Sequence, residues 1–289
     1  MAEGGASLNP AYLLATLGSV LYGSADFYGG LASRRDTARV VTFFSGFAGL
    51  AVLLVGLPFT PGETRVTDLM WAVAAGTFGG FGAMLIYRAL AIGPVSVASP
   101  VVGVTGLALP VLVGIALGDR PSAVAAAGLA LAPLSIVLLG QGGVAQAREG
   151  GGEPRPVLVP ALAAGAVVGF FLVFMGRIEA GANLWPLVVA RCTGLACLLA
   201  WLLLRRESLL PVAAARRNAL VAGGLDSFAN LAYVVAVQRG SLSLVAALVS
   251  LAPATTVLLA RVALAERWSP VQRGGLVLAL LSGVCISLG

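Results

Sequence analysis

The segment ALGDRPSAVAAAGLALAPLSIV, Ala116–Val137, recurs later in the chain as ALAERWSPVQRGGLVLALLSGV, Ala263–Val284. The two segments align without a gap, and each begins with Ala-Leu and an acid followed by Arg. Further matched pairs at the same offset are Ser122/Ser269, Gly128/Gly275, Ala132/Ala279, Ser135/Ser282 and, upstream, Gly76/Gly223. Apolar composition alone would not give this register, so the sequence contains two copies of one unit.

The composition places both copies in a membrane. Hydrophobic residues make up 59% of the chain and charged residues 10%, with a mean hydropathy of +0.98. Soluble domains are about 45–50% apolar and about 25% charged. The chain is therefore predicted to be an integral membrane protein of the all-α class.

Charged residues, Pro and Gly divide the chain into apolar segments of about 20 residues, the length of a helix that crosses a bilayer. The first copy, residues 10–141, and the second, residues 158–288, each give five such segments. Residues 142–157 are Gly-rich and charged, which predicts a flexible linker. The ten predicted transmembrane helices are 10–31, 38–59, 68–91, 95–117, 122–141, 158–179, 184–204, 217–238, 242–264 and 270–288.

Five helices per copy require that the second copy enter the bilayer from the opposite face. The two copies are therefore predicted to be inverted repeats, an arrangement common in secondary transporters. The charges agree, because three Arg residues follow the first helix whereas Arg177 alone follows the sixth. Conversely, Arg65 alone separates helices 2 and 3, whereas four Arg residues separate helices 7 and 8. The positive-inside rule then places both termini outside the cell.

Two further segment pairs carry a family resemblance. The turns GDRPS (Gly118–Ser122) and AERWS (Ala265–Ser269) follow the fourth helix of each copy. The segments ALAIGPVSVASP (Ala89–Pro100) and AVQRGSLSLV (Ala236–Val245) span the link from the third to the fourth helix. With the two-copy pattern, these resemble the EamA-type branch of the drug/metabolite transporter superfamily over nearly the whole chain. The resemblance implies transport of a small molecule in the inner (plasma) membrane; members export amino acids, drugs and metabolites or take up sugars and nucleotide sugars. Asp119 stands where the family more often has Glu, and relatives are usually drawn with cytoplasmic termini.

Three ionisable residues fall inside predicted helices, where such groups are costly and usually functional. Counted from the helix ends, Asp26, Arg191 and Asp226 are expected to meet in one polar layer near the middle of the membrane. In one interpretation Asp226 and Arg191 form a buried pair and Asp26 extends toward Arg34 or Arg35. In the other, one carboxylate, with Asp226 preferred, exchanges a proton for substrate.

The other candidate site residues surround this layer. Asn230 lies one turn from Asp226, and Tyr22, Ser24 and Tyr233 carry hydroxyls that could bind substrate in an apolar cavity. Gly79 and Gly80 align with Asp226 and Ser227 of the second copy, which predicts that they face the same cavity. The other glycine pairs, such as Gly165-x-x-x-Gly169, are interpreted as helix-packing faces.

What the sequence lacks excludes several classes of protein. It has no His, and all 18 of its basic residues are Arg, which removes Ser-His triads, H-E-x-x-H sites, most zinc sites and the P-loop lysine. No cofactor or metal is expected. The formal charge of +6 is scattered over short loops, so the Arg residues are interpreted as topology determinants and no nucleic-acid site is expected.

The sequence therefore predicts a secondary active transporter, a proton-coupled exporter of a small amino acid-like, cationic or neutral metabolite that works by alternating access. Its expected partners are that substrate, a proton and the lipid bilayer, and it is expected to be a monomer or a weak homodimer. A transporter-derived receptor or scaffold without turnover is the alternative. A remote third is an intramembrane enzyme that uses Asp26 and Asp226 as a carboxylate pair.

Overall fold

The computed structural model describes residues 9–149, 155–179, 181–264 and 269–288. Within these ranges the chain consists of helices joined by short loops and contains no strand. A short 3₁₀ turn, Leu57–Phe59, follows the second helix. The α-helices are α1 (Pro10–Ser33), α2 (Ala38–Gly56), α3 (Val66–Ile92), α4 (Val95–Ala116), α5 (Ala123–Glu149), α6 (Arg155–Met175), α7 (Trp185–Arg205), α8 (Ala213–Val237), α9 (Leu242–Val249), α10 (Ala252–Leu264) and α11 (Pro270–Leu288).

Seven helical segments among the described residues are long and apolar enough to cross a membrane. They are α2 with its 3₁₀ turn, α3, α4, Val157–Met175 of α6, α7, α8, and α9 together with α10. The apolar parts of α5 and α11 are shorter, and α1 carries Asp26 and three tyrosines. These features confirm a multi-pass, all-helical membrane protein.

The predicted helices recur with shifts of up to four residues at most ends and with two larger differences. The predicted ninth helix, 242–264, is divided at Ser250 and Leu251 into α9 and α10. Pro253 explains the division, because it has no N–H and its ring would clash with the carbonyl of the residue four positions earlier. The fifth helix continues to Glu149, because residues 144–149 (VAQARE) include good helix formers. The predicted linker, residues 142–157, is helical at 142–149 and 155–157, and its residues 150–154 lie outside the described chain.

Close helix contacts run through matching glycines of the two copies. A Cβ added to Gly76 on α3 would overlap the backbone of Ala190 on α7, and one on Gly223 on α8 would overlap the backbone of Ser45 on α2. Because lipid provides no hydrophobic drive for helix association, small residues that let backbones approach become important. The same kind of contact therefore joins the two copies twice, once through the glycine of each copy.

The fifth helices of the two copies, α5 and α11, pack against each other. Gly128 on α5 lies against Ser282, whose hydroxyl donates to the Gly128 carbonyl at 2.7 Å, and Gly275 on α11 lies against Ser135. Contacts thus pair the early part of each helix with the late part of the other, so the two helices are antiparallel. All four residues are matched pairs of the sequence repeat.

At one end of the bundle the α1–α2 loop contacts the α7–α8 loop. Arg39 and Glu207 form an ion pair at 2.7 Å, and the backbone N–H of Val212 donates to Asp36 at 2.7 Å. Arg35 donates to the carbonyl of Ala214, also at 2.7 Å. This end, called the basic end below, comprises loops 34–37 and 206–212; Arg34, Arg35 and Arg206 lie in these loops, and Arg39, Arg205, Arg216 and Arg217 lie in the adjoining helix turns.

At the opposite end the α2–α3 loop contacts the α6–α7 loop. The Asp68 carboxylate, which is buried, accepts from the backbone N–H groups of Arg65 and Glu179, each at 3.0 Å. The side chains of Arg65 and Glu179 form an ion pair, and Thr64 donates to Asn183 at 2.6 Å. Loops that follow equivalent helices of the two copies therefore lie at opposite ends.

The acid of the first acid-Arg turn anchors another helix. The Asp119 carboxylate accepts from the backbone N–H of Ser243, in the first turn of α9, at 2.8 Å. A carboxylate at this position satisfies an unpaired N–H and interacts favourably with the helix dipole. Gly118, just before it, has φ +105°, a conformation that favours glycine. The corresponding pair Glu266–Arg267 lies outside the described residues.

Candidate functional site

A central cavity opens between the helices of both copies. Its empty volume is about 1280 Å³, part of which is open at the surface. Every described helix except α5 and α11 contributes to its lining, as does Ser250 between α9 and α10. The cavity includes seven of the nine side chains or glycines that the sequence predicts for the site: Tyr22, Asp26, Gly79, Gly80, Arg191, Asp226 and Asn230.

An ion pair lies at this cavity between α7 and α8. The guanidinium of Arg191 donates to the Asp226 carboxylate and, at 3.0 Å, to the hydroxyl of Ser227. The two charged side chains are 19% and 21% exposed. Removing either partner of a pair so poorly solvated would leave an uncompensated charge.

Asn230 connects this pair to α1. Its side-chain amide nitrogen donates to the Asp226 carboxylate at 3.0 Å and to the Asp226 backbone carbonyl at 2.7 Å. Its side-chain oxygen accepts from the Tyr22 hydroxyl at 2.9 Å. A continuous hydrogen-bonded chain therefore runs from Tyr22 on α1 through Asn230 and Asp226 on α8 to Arg191 on α7.

Asp26 lines the same cavity but stays outside this chain. It lies one turn after Tyr22 on α1, and no hydrogen bond or ion pair from any described residue reaches its carboxylate. Its notable charged neighbour is Asp226, which repels it. Arg35 donates instead to the Ala214 carbonyl at the basic end. The arrangement thus combines the predicted Arg191–Asp226 pair with an Asp26 that faces the cavity.

Two predicted site residues lie away from the cavity. Tyr233 is fully buried, and its hydroxyl donates at 2.7 Å to the carbonyl of Leu172, which joins α8 to α6. Ser24 donates at 2.8 Å to the Val20 carbonyl of its own helix. Both hydroxyls are therefore satisfied by backbone groups.

Gly79 and Gly80 line the cavity through different neighbours. A Cβ added to Gly79 would lie 2.9 Å from the ring of Phe171 on α6, a side chain that can rotate. A Cβ on Gly80 would lie 3.0 Å from the Gly194 backbone on α7, which cannot give way as easily. Gly79 is thus the position where added volume enters the cavity, whereas Gly80 also belongs to a helix contact.

Sequence reasoning missed five polar lining residues, namely Thr42, Ser45, Tyr87, Ser99 and Ser250. Thr42 and Ser45 are adjacent on one face of α2, where the Ser45 hydroxyl donates to the Thr42 carbonyl at 2.9 Å. Tyr87 on α3 interacts with Ser45. The spacing of Thr42 and Ser45 by three residues, in an otherwise apolar helix, was a signal that could have identified this face.

Apolar side chains complete the lining. α6 contributes Phe171, Leu172 and Met175, and α4 and α7 contribute Val102 and Leu187. Gly79 and Ala83 on α3 also line the cavity, and these small residues leave space beside the apolar side chains. The cavity therefore presents a polar part, centred on α1, α7 and α8, and an apolar part centred on α6.

Comparisons with known proteins agree with this architecture. The sequence profile described as the EamA-like transporter family matches residues 9–141 and 156–288. A solved crystal structure is similar over 98% of each chain, with a TM-score of 0.71 and 22% sequence identity, which shows likeness of fold. A search of curated proteins found no match.

Proposed function

Because the chain belongs to the EamA-like transporter family, we propose that it is a secondary active transporter that exports a small metabolite in exchange for protons. The single observation that carries the proton-coupled part is the Asp26 carboxylate, which lies in a cavity lined by both copies and has no partner among the described residues. The proposal replaces Asp226, which the sequence favoured as the proton carrier, with Asp26.

The two carboxylates differ in how their charge is compensated. Asp226 accepts from Arg191 and from Asn230, so its negative charge is matched in place. Asp26 has no such partner among the described residues, and a charge held away from water is costly unless a proton or a cation neutralises it. A proton that binds when the substrate leaves neutralises the Asp26 carboxylate. The proton is released when the substrate returns.

Few other titratable groups face Asp26. The described lining contains Tyr22 on α1, Tyr87 on α3, Arg191 on α7 and Asp226 on α8. The lining residues of α2, α4, α6, α9 and α10 carry no ionisable side chain. Since the two tyrosines are neutral and Arg191 pairs with Asp226, Asp26 is the group that exchanges a proton at physiological pH.

The inverted repeat supplies the conformational step. It is supported by the antiparallel packing of α5 and α11 and by the opposite ends at which equivalent loops lie. In inverted repeats, exchange of the two copies' conformations moves the opening from one face to the other around a central site. The basic end, whose loops 34–37 and 206–212 together with the adjoining helix turns collect seven Arg residues, is the cytoplasmic end in this proposal, and both termini lie outside.

A metabolite comparison between strains tests the function even while the substrate is unidentified. We expect an overexpressing strain to accumulate at least one small metabolite outside the cell relative to a deletion strain. Asp26→Asn should abolish that difference, whereas Glu63→Gln, at an exposed loop position, should retain it. Indistinguishable metabolite profiles in the overexpressing and deletion strains would contradict export.

A further inference from the structure

The charges around the cavity restrict what it can hold. The described lining contains one cation, Arg191, and two carboxylates, Asp26 and Asp226. Arg191 and Asp226 neutralise each other, so an ionised Asp26 leaves one uncompensated negative charge. A monovalent cation would neutralise this charge, a zwitterion would leave it unchanged, and an anion would add to it.

The environment of Arg191 also keeps its charge beside Asp226. Its guanidinium carbon lies 3.2 Å from the position that a Cβ of Gly49 on α2 would occupy. The guanidinium also donates a hydrogen bond to the hydroxyl of Ser227 on α8. The guanidinium thus lies between α2 and α8, in contact with both. A substrate carboxylate would have to compete with Asp226 for a cation that is already paired.

The rest of the cavity is apolar. Phe171, Leu172 and Met175 on α6, with Val102 and Leu187, supply hydrocarbon surface. Ligand sites commonly combine such surface with a few polar groups that orient the ligand. The shape and polarity therefore match a molecule with one charged head and an apolar tail.

We infer that the substrate is a monovalent organic cation with an apolar tail, whose charged group binds at Asp26 in place of the exchanged proton. This inference rests on the proposed transport function and narrows its substrate class, which the sequence left open between zwitterionic, cationic and neutral compounds. Because one carboxylate compensates one charge, the exchange is one cation for one proton. The cation and the proton therefore compete for the same group.

Three probes with a common phenylethyl tail separate the charge classes. They are phenethyltrimethylammonium as a permanent cation, phenylalanine as a zwitterion and 2-phenylethanesulfonate as a permanent anion. Binding is measured by calorimetry on the purified full chain, and transport by a pH-sensitive dye inside proteoliposomes with an acidic lumen. Permanent charges on the cation and anion prevent passive permeation from changing the internal pH.

We expect the cation to bind best, to bind more weakly as the pH falls, and to make the lumen more alkaline as it enters. Asp26→Asn should weaken cation binding at least about tenfold, as expected when one member of a charge pair is removed. The double variant Arg191→Gln/Asp226→Asn removes both members of the ion pair and keeps the single uncompensated charge, so it should retain the preference for the cation. Glu63→Gln is the matched acid-to-amide control and should leave binding unchanged.

The outcomes separate the substrate class from the transport function. Movement of phenylalanine without binding of the cation would overturn the inference and leave proton-coupled transport standing. Cation binding that depends on Asp26, without proton movement in liposomes, would support a cation site at Asp26 and contradict the transport function. Failure of the cation to bind, or binding that is unchanged in Asp26→Asn, would overturn the inference.

Discussion

The guanidinium of Arg191 on α7 donates to the carboxylate of Asp226 on α8 within the central cavity. This contact decides which of the two intramembrane aspartates is available for exchange. Asp226 is held in an ion pair that Asn230 and Ser227 extend, while Asp26 remains without a partner among the described residues. Because of this pair, Asp226→Asn and Asp26→Asn are expected to have different effects on stability.

Asp226→Asn is expected to lower stability, because it leaves the Arg191 charge poorly solvated and uncompensated. Breaking a buried pair costs about 3–5 kcal/mol, and we expect a loss of about 3 kcal/mol because about one fifth of each side chain is exposed. Asp26→Asn, which breaks no such pair, should unfold close to the wild-type temperature. Thermal unfolding in detergent measures both. Equal stability of Asp226→Asn and the wild type would show that the pair contributes little.

Gly49→Ala is expected to disturb the same ion pair from the opposite helix. The added Cβ would lie 2.5 Å from the Ser227 hydroxyl and 3.2 Å from the Arg191 guanidinium carbon, and such overpacking typically costs about 1–3 kcal/mol. Gly224→Ala is the control, since a Cβ there meets nothing within 4 Å and alanine favours the helix by about 1 kcal/mol. If both variants unfold at the same temperature, Gly49 does not constrain the pair.

Gly79→Leu is expected to reduce transport more than stability, because the added side chain enters the cavity beside the ring of Phe171, a side chain and not a backbone contact. Gly165→Leu should mainly reduce stability, since its Cβ would lie 2.5 Å from Thr105 and 2.8 Å from the Val102 carbonyl on α4. Gly80→Leu should resemble Gly165→Leu through its contact with Gly194. Uptake per correctly folded molecule and the unfolding temperature are compared. A uniform loss of stability without a selective transport defect at Gly79 would contradict its assignment to the cavity.

Single-cysteine labelling is expected to place the basic end in the cytoplasm. In a background in which Cys192, Cys197 and Cys285 are replaced, Arg34→Cys and Ala213→Cys should react only with a reagent that reaches the cytoplasmic side. Both positions are exposed at the basic end, and the positive-inside rule assigns that end to the cytoplasm.

Glu63→Cys, which is exposed at the opposite end, is the internal comparison and should react from outside. The reverse pattern at all three positions would show that the protein has the opposite orientation in the membrane. Reaction of Arg34→Cys and Ala213→Cys from different sides would contradict the shared end that the loop contacts support.

Membership of the transporter family, the helical membrane class and most helix positions were predictable from the sequence. These properties depend on local hydropathy, on Pro and Gly punctuation and on a repeat that is visible in register, as in Gly128/Gly275. The division of the ninth helix was missed, although Pro253 marked it. Proline alone does not decide such a division, because α4 continues through Pro100 and Pro110 as one helix.

Hydropathy and helix counting were enough to place Asp26, Arg191 and Asp226 as costly charges within the membrane. The pairing of Arg191 with Asp226, the lack of a partner for Asp26 among the described residues, and the bond from Tyr233 to the Leu172 carbonyl appear only in the folded structure. The physical reason is that pairing depends on the rotation and approach of helices distant in the chain. Gly49, for example, gives the Arg191 guanidinium its space from another helix, and no local pattern around Arg191 contains that information.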